Sequence, residues 1–240
     1  MAAFETEFLT REETAEGTMA FHFVKPAGFE FKAGQSMNVA LINPPETDAK
    51  GNARVFSIAS APSEASLMIA TRMRDTAFKR VLKTMQAGTK LRIRGPAGKF
   101  VLEENDRKPA VFLAGGIGIT PFLSMLKQAA IDRLGRKLHL FYSNRRPEDT
   151  AFLIELQQLQ ERNPNYRFVG TMTEMEKSLQ HWNGELGFIN KNMMARYIDD
   201  ISAPIYYVAG PPAMTEAMQN MLRGAGIAQA DIRTDEFFGY

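Results

Sequence analysis

Three stretches of this chain put residues able to hold an anion or a planar ring at the ends of apolar runs. The first is Leu113-Ala114-Gly115-Gly116-Ile117-Gly118-Ile119-Thr120-Pro121, where a buried-strand pattern runs into glycines and then into a helix. Glycine tolerates positive φ and lets the backbone approach a ligand closely. A helix N-terminus adds unpaired N–H groups and the positive end of the helix dipole, both suited to phosphate. Thr120 contributes a hydroxyl, and Pro121 fits the first helical turn. The spacing is not G-x-G-x-x-G, so these residues read either as a phosphate loop or as a tight strand–helix turn. The second stretch is Tyr206-Tyr207-Val208-Ala209-Gly210-Pro211-Pro212-Ala213-Met214, a strand that stops at a rigid turn and restarts as a helix. Residues at the carboxyl end of a parallel strand face a ligand crevice, or the turn simply ends the strand. The third is Arg54-Val55-Phe56-Ser57-Ile58-Ala59-Ser60, one Arg and two Ser among apolar residues. Arg can grip phosphate with two hydrogen bonds and Ser can bond a ring edge; an ordinary amphipathic strand is the other reading.

Two different rhythms must position these residues. In the first hundred residues, Met19–Phe23, Met37–Leu41, Val55–Ile58, Leu67–Arg72 and Leu91–Arg94 read as short strands separated by Gly, Pro and Asn. Such a series suggests a barrel or sandwich. One helix interrupts it near Thr76–Met85, with Phe78, Val81, Leu82 and Met85 on one face. Beyond Asp106, strands at Ala110–Ala114, Leu138–Tyr142, Tyr166–Gly170 and Ile205–Ala209 alternate with helices at Phe122–Ala130, Phe152–Gln160 and Ala213–Leu222. That alternation implies a parallel sheet. The charged join around Glu103–Pro109 suits a boundary, giving domains at 1–104 and 105–240.

Composition narrows the chemistry. The 240 residues carry a net charge of +2, which points neither to nucleic acid nor to an anionic membrane. There is no Cys, so disulfides, a thiolate nucleophile and Cys-ligated zinc or iron–sulfur centres are excluded. His22, His139 and His181 are far apart and not metal-spaced, so no metal is expected. The 14 Met residues read as fillers of core gaps. Pro109 to Leu126 lacks charge, but Gly115, Gly116 and Gly118 interrupt it, so a buried strand, turn and helix are expected rather than membrane insertion. The N-terminus shows no signal-peptide pattern, and a cytoplasmic location is expected.

The three stretches, in this order behind a barrel-like half, resemble the ferredoxin–NADP(+) reductase superfamily of flavin reductases over nearly the whole chain. Arg54-Val55-Phe56-Ser57 resembles the Arg-x-Tyr-Ser flavin motif, and Gly115-Gly116-Ile117-Gly118-Ile119-Thr120-Pro121 the Gly-Gly-x-Gly-x-Thr-Pro nucleotide loop. Gly210-Pro211-Pro212-Ala213-Met214 is similar to the Cys-Gly-Pro-Pro-x-Met segment except at its first position, where Ala209 stands. Phe31-Lys32-Ala33-Gly34-Gln35, Gly95-Pro96-Ala97-Gly98-Lys99-Phe100 and Trp182-Asn183-Gly184-Glu185-Leu186-Gly187 also match family stretches.

The resemblance implies two domains: an N-terminal antiparallel β-barrel that binds flavin, then an α/β parallel-sheet domain that binds NAD(P)H. It implies FAD, with FMN the lesser alternative, held by Arg54, Phe56, Ser57 and Ile58. Arg54 would neutralise the pyrophosphate, Ser57 would sit near flavin N5, and Thr76 would stand at the head of a phosphate-binding helix. Gly115, Gly116, Gly118, Thr120, Gly210, Pro211 and Met214 would line the nicotinamide crevice. The Glu-x-aromatic ending gives Glu236 a proton-handling or positioning role and Phe238 a flavin-stacking role, with Tyr240 a rival for the stack. Ser143, Arg145 and Arg146 would hold a 2′-phosphate, which leans towards NADPH, although Arg-x-Pro-x-Asp also resembles NADH-using relatives. The basic residues Arg72, Arg74, Lys79, Arg80 and Lys83 either dock an acidic carrier protein or form a solvated face. The function implied is hydride and electron transfer between NAD(P)H and a separate carrier: ferredoxin, flavodoxin or an oxygenase component. A free-flavin or ferric reductase and a non-catalytic flavin-binding redox sensor are the alternatives.

Overall fold

The structure is a computed structural model, and it describes residues 2–103 and 108–237. The first six strands are β1 (Ala2–Ala15), β2 (Thr18–Val24), β3 (Ser36–Leu41), β4 (Ala53–Ser57), β5 (Ser66–Arg72) and β6 (Lys90–Ala97), all paired antiparallel in the order β4-β3-β6-β1-β2-β5. Just past β4 the wall closes. The Ala59 N–H donates to the Met68 carbonyl at 2.8 Å, and the Met68 N–H donates to Ser60 Oγ at 3.0 Å. Alternation sends Phe8, Phe21, Phe23, Met37, Val39 and Ile93 inward as one core. The helix α1 (Ala77–Thr84) plugs that core with Phe78, Val81 and Leu82, and Thr76 caps its N-terminus by accepting the Lys79 N–H.

The second sheet contains β7 (Ala110–Gly115), β8 (Leu138–Asn144), β9 (Tyr166–Met172), the short β10 (Glu185–Leu186), β11 (Ile205–Gly210) and β12 (Ile232–Glu236). All pairings are parallel, in the order β10-β9-β8-β7-β11-β12. Helices α2 (Ile119–Ile131) and α3 (Leu153–Arg162) pack on the face carrying Phe112, Ala114, Leu140 and Tyr207. Helices α4 (Lys191–Ala195) and α5 (Pro212–Gly224) belong to the opposite face, with Val111, Leu113, Phe141 and Val208. Every residue of β7 and β11 is buried, as expected of central parallel strands covered on both sides. Among the described residues, no helix is long and apolar enough to cross a membrane.

One apolar cluster runs across both units, joining Ala20, Ala59, Met68 and Ala70 of the barrel to Phe122, Met125 and Leu126 of α2. Polar contacts frame it. Ser124 Oγ donates to the Ser60 carbonyl at 2.6 Å, and the Glu16 N–H donates to the Glu148 carbonyl at 2.8 Å. The barrel edge thus packs directly against the helices of the parallel-sheet unit.

Candidate functional site

The strand order explains why the two glycine-bearing turns meet. The chain leaves β7 towards β8, β9 and β10 on one side, then returns to lay β11 and β12 on the other. The loops after β7 and β11 thus flank the point where the order reverses, the usual ligand crevice of an open parallel sheet. The backbones touch there. A Cβ on Gly210 would lie 3.2 Å from Gly115 Cα, and one on Gly118 would lie 2.7 Å from Gly210 Cα and closer still to the Ala209 carbonyl. Only glycine allows that approach. Tyr142 of β8 locks the turn by donating its O–H to the Gly116 carbonyl at 3.0 Å. Pro211 leads into α5, and Met214, in its first turn, lies against Gly115. Thr120 Oγ1 donates back to the Ile117 carbonyl at 3.1 Å, so this hydroxyl shapes the helix start.

The barrel contributes an open strand edge. The Leu41 N–H bonds the Asn52 carbonyl and the Ile58 N–H bonds the Gln35 carbonyl, each at 2.9 Å. With the β3–β4 register, those bonds turn the peptide groups of Arg54 and Phe56 towards β3 and those of Val55 and Ser57 away from it. Over Ala53–Ser57, β4 is paired with β3 alone. A gap is left before β5, and a flat ligand with edge donors and acceptors fits such a gap. Ser57 is buried, and its hydroxyl bonds no described residue. Ile58, fully buried, begins the closure of the wall. Phe56 is buried with its ring 5.9 Å from that of Phe78, so the Phe stands as packing between the strand and α1.

Beside that gap, the start of α1 gathers positive charge. Lys79 is pulled down to about 8 by burial and then by Arg74, Arg54 and Lys50. Its Nζ donates to the Arg72 carbonyl at 2.8 Å. These cations give the helix start capped by Thr76 a positive field, the polarity that suits an anion. Arg54 lies there, 5.2 Å over the Phe78 ring, but it already has partners. Its Nη1 donates to the carbonyls of Lys50, Gly51 and Ala53, and its Nη2 donates to Asp48 Oδ1 at 2.6 Å.

Other sequence-derived residues separate. Arg146 donates to both carboxylate oxygens of Asp149 at 2.9 and 3.1 Å and to Glu16 at 2.9 Å. These carboxylates engage its guanidinium at the seam between barrel and sheet, and a 2′-phosphate would have to compete with them. Ser143 is half-buried at the end of β8, and Arg145 is exposed, 3.6 Å from Glu174. The proposed basic cluster also divides. Arg72 faces Asp149 at 3.6 Å, Arg80 pairs with Glu46 and Asp75, and Lys79 turns inward, so these do not form one docking face. Phe238 and Tyr240 lie outside the described residues. Glu236 is exposed opposite Gly210. Asp235, opposite Ala209, is half-buried, and its side chain has no hydrogen bond or ion pair among the described residues; burial raises its carboxyl. Phe237 donates its N–H to the Gly210 carbonyl at 3.1 Å. Asp235 and Tyr142 were missed from sequence, and Lys79 was read only as part of a docking or solvated basic cluster. The signal for Asp235 was available, since it too precedes an aromatic by two.

The family of the oxidoreductase NAD-binding domain matches residues 112–220, which hold both glycine-bearing turns. A ferredoxin NADP+ reductase from Neisseria gonorrhoeae, solved with bound FAD and NADP, superposes with a TM-score of 0.83 at 24% identity, over 98% of this chain and 99% of that one. The chain therefore has the fold of that reductase, and its second half carries an oxidoreductase NAD-binding domain. Among reductase-like sequences, the reductase component of propane 2-monooxygenase from Rhodococcus jostii is 27% identical over 218 residues, 89% of this chain and 57% of that protein. A component of the Na(+)-translocating NADH-quinone reductase from Haemophilus ducreyi is 30% identical over 201 residues, 78% of this chain and 49% of its own length. The chain spans about half the length of these curated relatives.

Proposed function

We propose that this reductase-like chain is a flavin-dependent oxidoreductase that moves reducing equivalents between NAD(P)H and a separate redox carrier such as ferredoxin, flavodoxin or an oxygenase component. One observation carries the reading. The one-sided edge of β4, with its adjoining cation-rich helix start, belongs to a barrel that packs through Ala59, Ser60 and Met68 against the helix leaving the glycine-lined crevice at the sheet's switch point. The reading divides the chain into a flavin-binding unit, residues 1–104, and a nucleotide-binding unit, residues 105–240. It places the protein in the cytoplasm, where reduced nicotinamide nucleotides are the working electron source.

The residues present fit FAD. The gap beside Val55 and Ser57 offers unpaired backbone groups to a ring edge, and the cations at α1 suit its pyrophosphate. When bound, the flavin supplies the conversion of a two-electron hydride into single electrons. The chain's own task is positioning. Ser57 holds a buried hydroxyl at the ring edge, and the Gly115–Gly118 and Gly210–Met214 turns admit the nicotinamide nucleotide without side chains in its path. Ala209, where the resemblance expects Cys, keeps the floor of the crevice apolar and small. Asp235 is the desolvated carboxyl beside it and can hold a proton at a higher pH than an aspartate in open water.

The test is spectroscopic. Purified protein supplied with FAD should bind it, and NADH or NADPH added without oxygen should bleach the flavin band. Added ferricyanide should restore the band with turnover. Protein that takes up neither FAD nor FMN would overturn the reading.

A further inference from the structure

The eleven residues between β3 and β4, 42–52, form a strap over the start of α1. It folds back tightly, with the Gly51 N–H donating to the Asp48 carbonyl at 2.8 Å. Two acidic side chains tie it down. Glu46 takes Arg80 of α1 in a forked pair, with Nε at 3.0 Å and Nη2 at 2.5 Å. Asp48 takes Arg54 of β4 at 2.6 Å and also accepts the Lys50 N–H at 2.9 Å. Arg80 lies one turn into the helix, its N–H bonding the Thr76 carbonyl. The strap thus brings a carboxylate to the place where the four cations converge.

We propose that Asp48 is an internal substitute for the cofactor's phosphate, competing with it for Arg54 and so setting how tightly flavin is held. The proposal rests on the flavin reading above. Three features support it. Arg54 Nη1 is already surrounded by three strap and strand carbonyls, so the strap is anchored without a charge on residue 48. Both hydrogen bonds to Asp48 end on Oδ1, an atom that asparagine would also supply. What the carboxylate adds over an amide is therefore negative charge, and Arg54 beside it holds its carboxyl below the usual range, so the charge is present at neutral pH. A phosphate arriving at the same guanidinium carries the same sign and must displace or share with Asp48.

The experiment is a fluorescence titration of flavin-free full-length protein with FAD, FMN and riboflavin, comparing wild type with Asp48→Asn. Loss of one like charge next to a phosphate should tighten FAD and FMN about fivefold or more, while riboflavin, which has no phosphate, should bind as before. Asp48→Glu, which keeps the charge, should stay near wild type. Asp48→Ser removes the charge with a smaller side chain and stands in if the amide disturbs folding, as judged by the thermal midpoint. Unchanged or weaker FAD binding in the charge-free variants, or equal tightening of riboflavin, would overturn the proposal while leaving the flavin reading intact. If no flavin binds wild type or any variant, the flavin reading fails and this proposal fails with it.

Discussion

At the barrel edge the site is made of side chains: Arg54, Arg74, Lys79 and Lys50 set a potential, and Asp48 offsets part of it. At the sheet edge it is made of their absence, with Gly115, Gly118 and Gly210 bringing backbone against backbone. A site built from charge can be graded, because each charge adds or subtracts a modest increment that water and salt screen. A site built from backbone approach has no graded setting, because a new methyl must push a strand or a helix aside. The two ligands should therefore respond differently to substitution: flavin affinity in steps, nucleotide binding abruptly.

Gly118→Val gives the largest effect. Its Cβ would sit against the Ala209 carbonyl and Gly210 Cα, both main-chain atoms of a fully buried strand. No flexible side chain can yield there, and overpacking of this kind costs about 1–3 kcal/mol before any ligand is considered. Anaerobic flavin reduction by NADH or NADPH should in addition fall by about a hundredfold or more, because the nucleotide loses its approach to the backbone; that is about 2.7 kcal/mol of lost binding. FAD should remain bound with little change. Loss of both together would show that the two halves are not separable, and would break the comparison.

Arg54→Ala comes next. A hydrogen bond to a charged group is worth about 1.5–3 kcal/mol, so FAD should weaken by roughly tenfold to a hundredfold. Riboflavin should change far less, and the nicotinamide crevice should keep its geometry. Unchanged FAD affinity would remove Arg54 from the anion site and leave the role to Lys79 and Arg74.

The contrast also governs what could be read from sequence. The crevice was legible because its determinants are residue types in short spacings: Gly-Gly-x-Gly-x-Thr-Pro and Gly-Pro-Pro-x-Met each encode a turn after a strand. The elements themselves were largely legible too, from β2 to α5. The first strand was not, because Glu5, Glu7, Arg11, Glu12 and Glu13 turn its pattern polar, although it lies between β6 and β2 and buries only Thr6 and Phe8. The last strand escaped notice for the same reason, with Arg233, Asp235 and Glu236 in a five-residue run. The charge-built half resisted more. That Arg54 suits an anion is visible in its motif, but that Asp48 reaches Arg54 depends on how an eleven-residue strap folds. Arg146 was read as a phosphate ligand because a cation in a loop after β8 suits one. The carboxylate that claims it, Glu16, lies 130 residues away in the hairpin of the other unit.

The smallest effect belongs to that seam. Asp149 is held below the usual carboxylate range, first by its hydrogen bonds from Arg146. A carboxyl with a depressed folded-state pKa adds stability above its unfolded value, and that stability is lost as pH falls through the folded one. Arg146→Ala should therefore lower the thermal midpoint at neutral pH by no more than about 2–4 °C, since water still reaches the pair. The difference from wild type should shrink as pH is lowered below about 4, where Asp149 begins to protonate in the unfolded chain. Because Arg146 is spent on Asp149 and Glu16, the ratio of kcat/KM for NADPH to that for NADH should move by less than about twofold, well under the cost of removing a phosphate-binding arginine. A selective tenfold loss with NADPH, and no change in the acid limb of stability, would return Arg146 to the nucleotide and make the crevice partly charge-built as well.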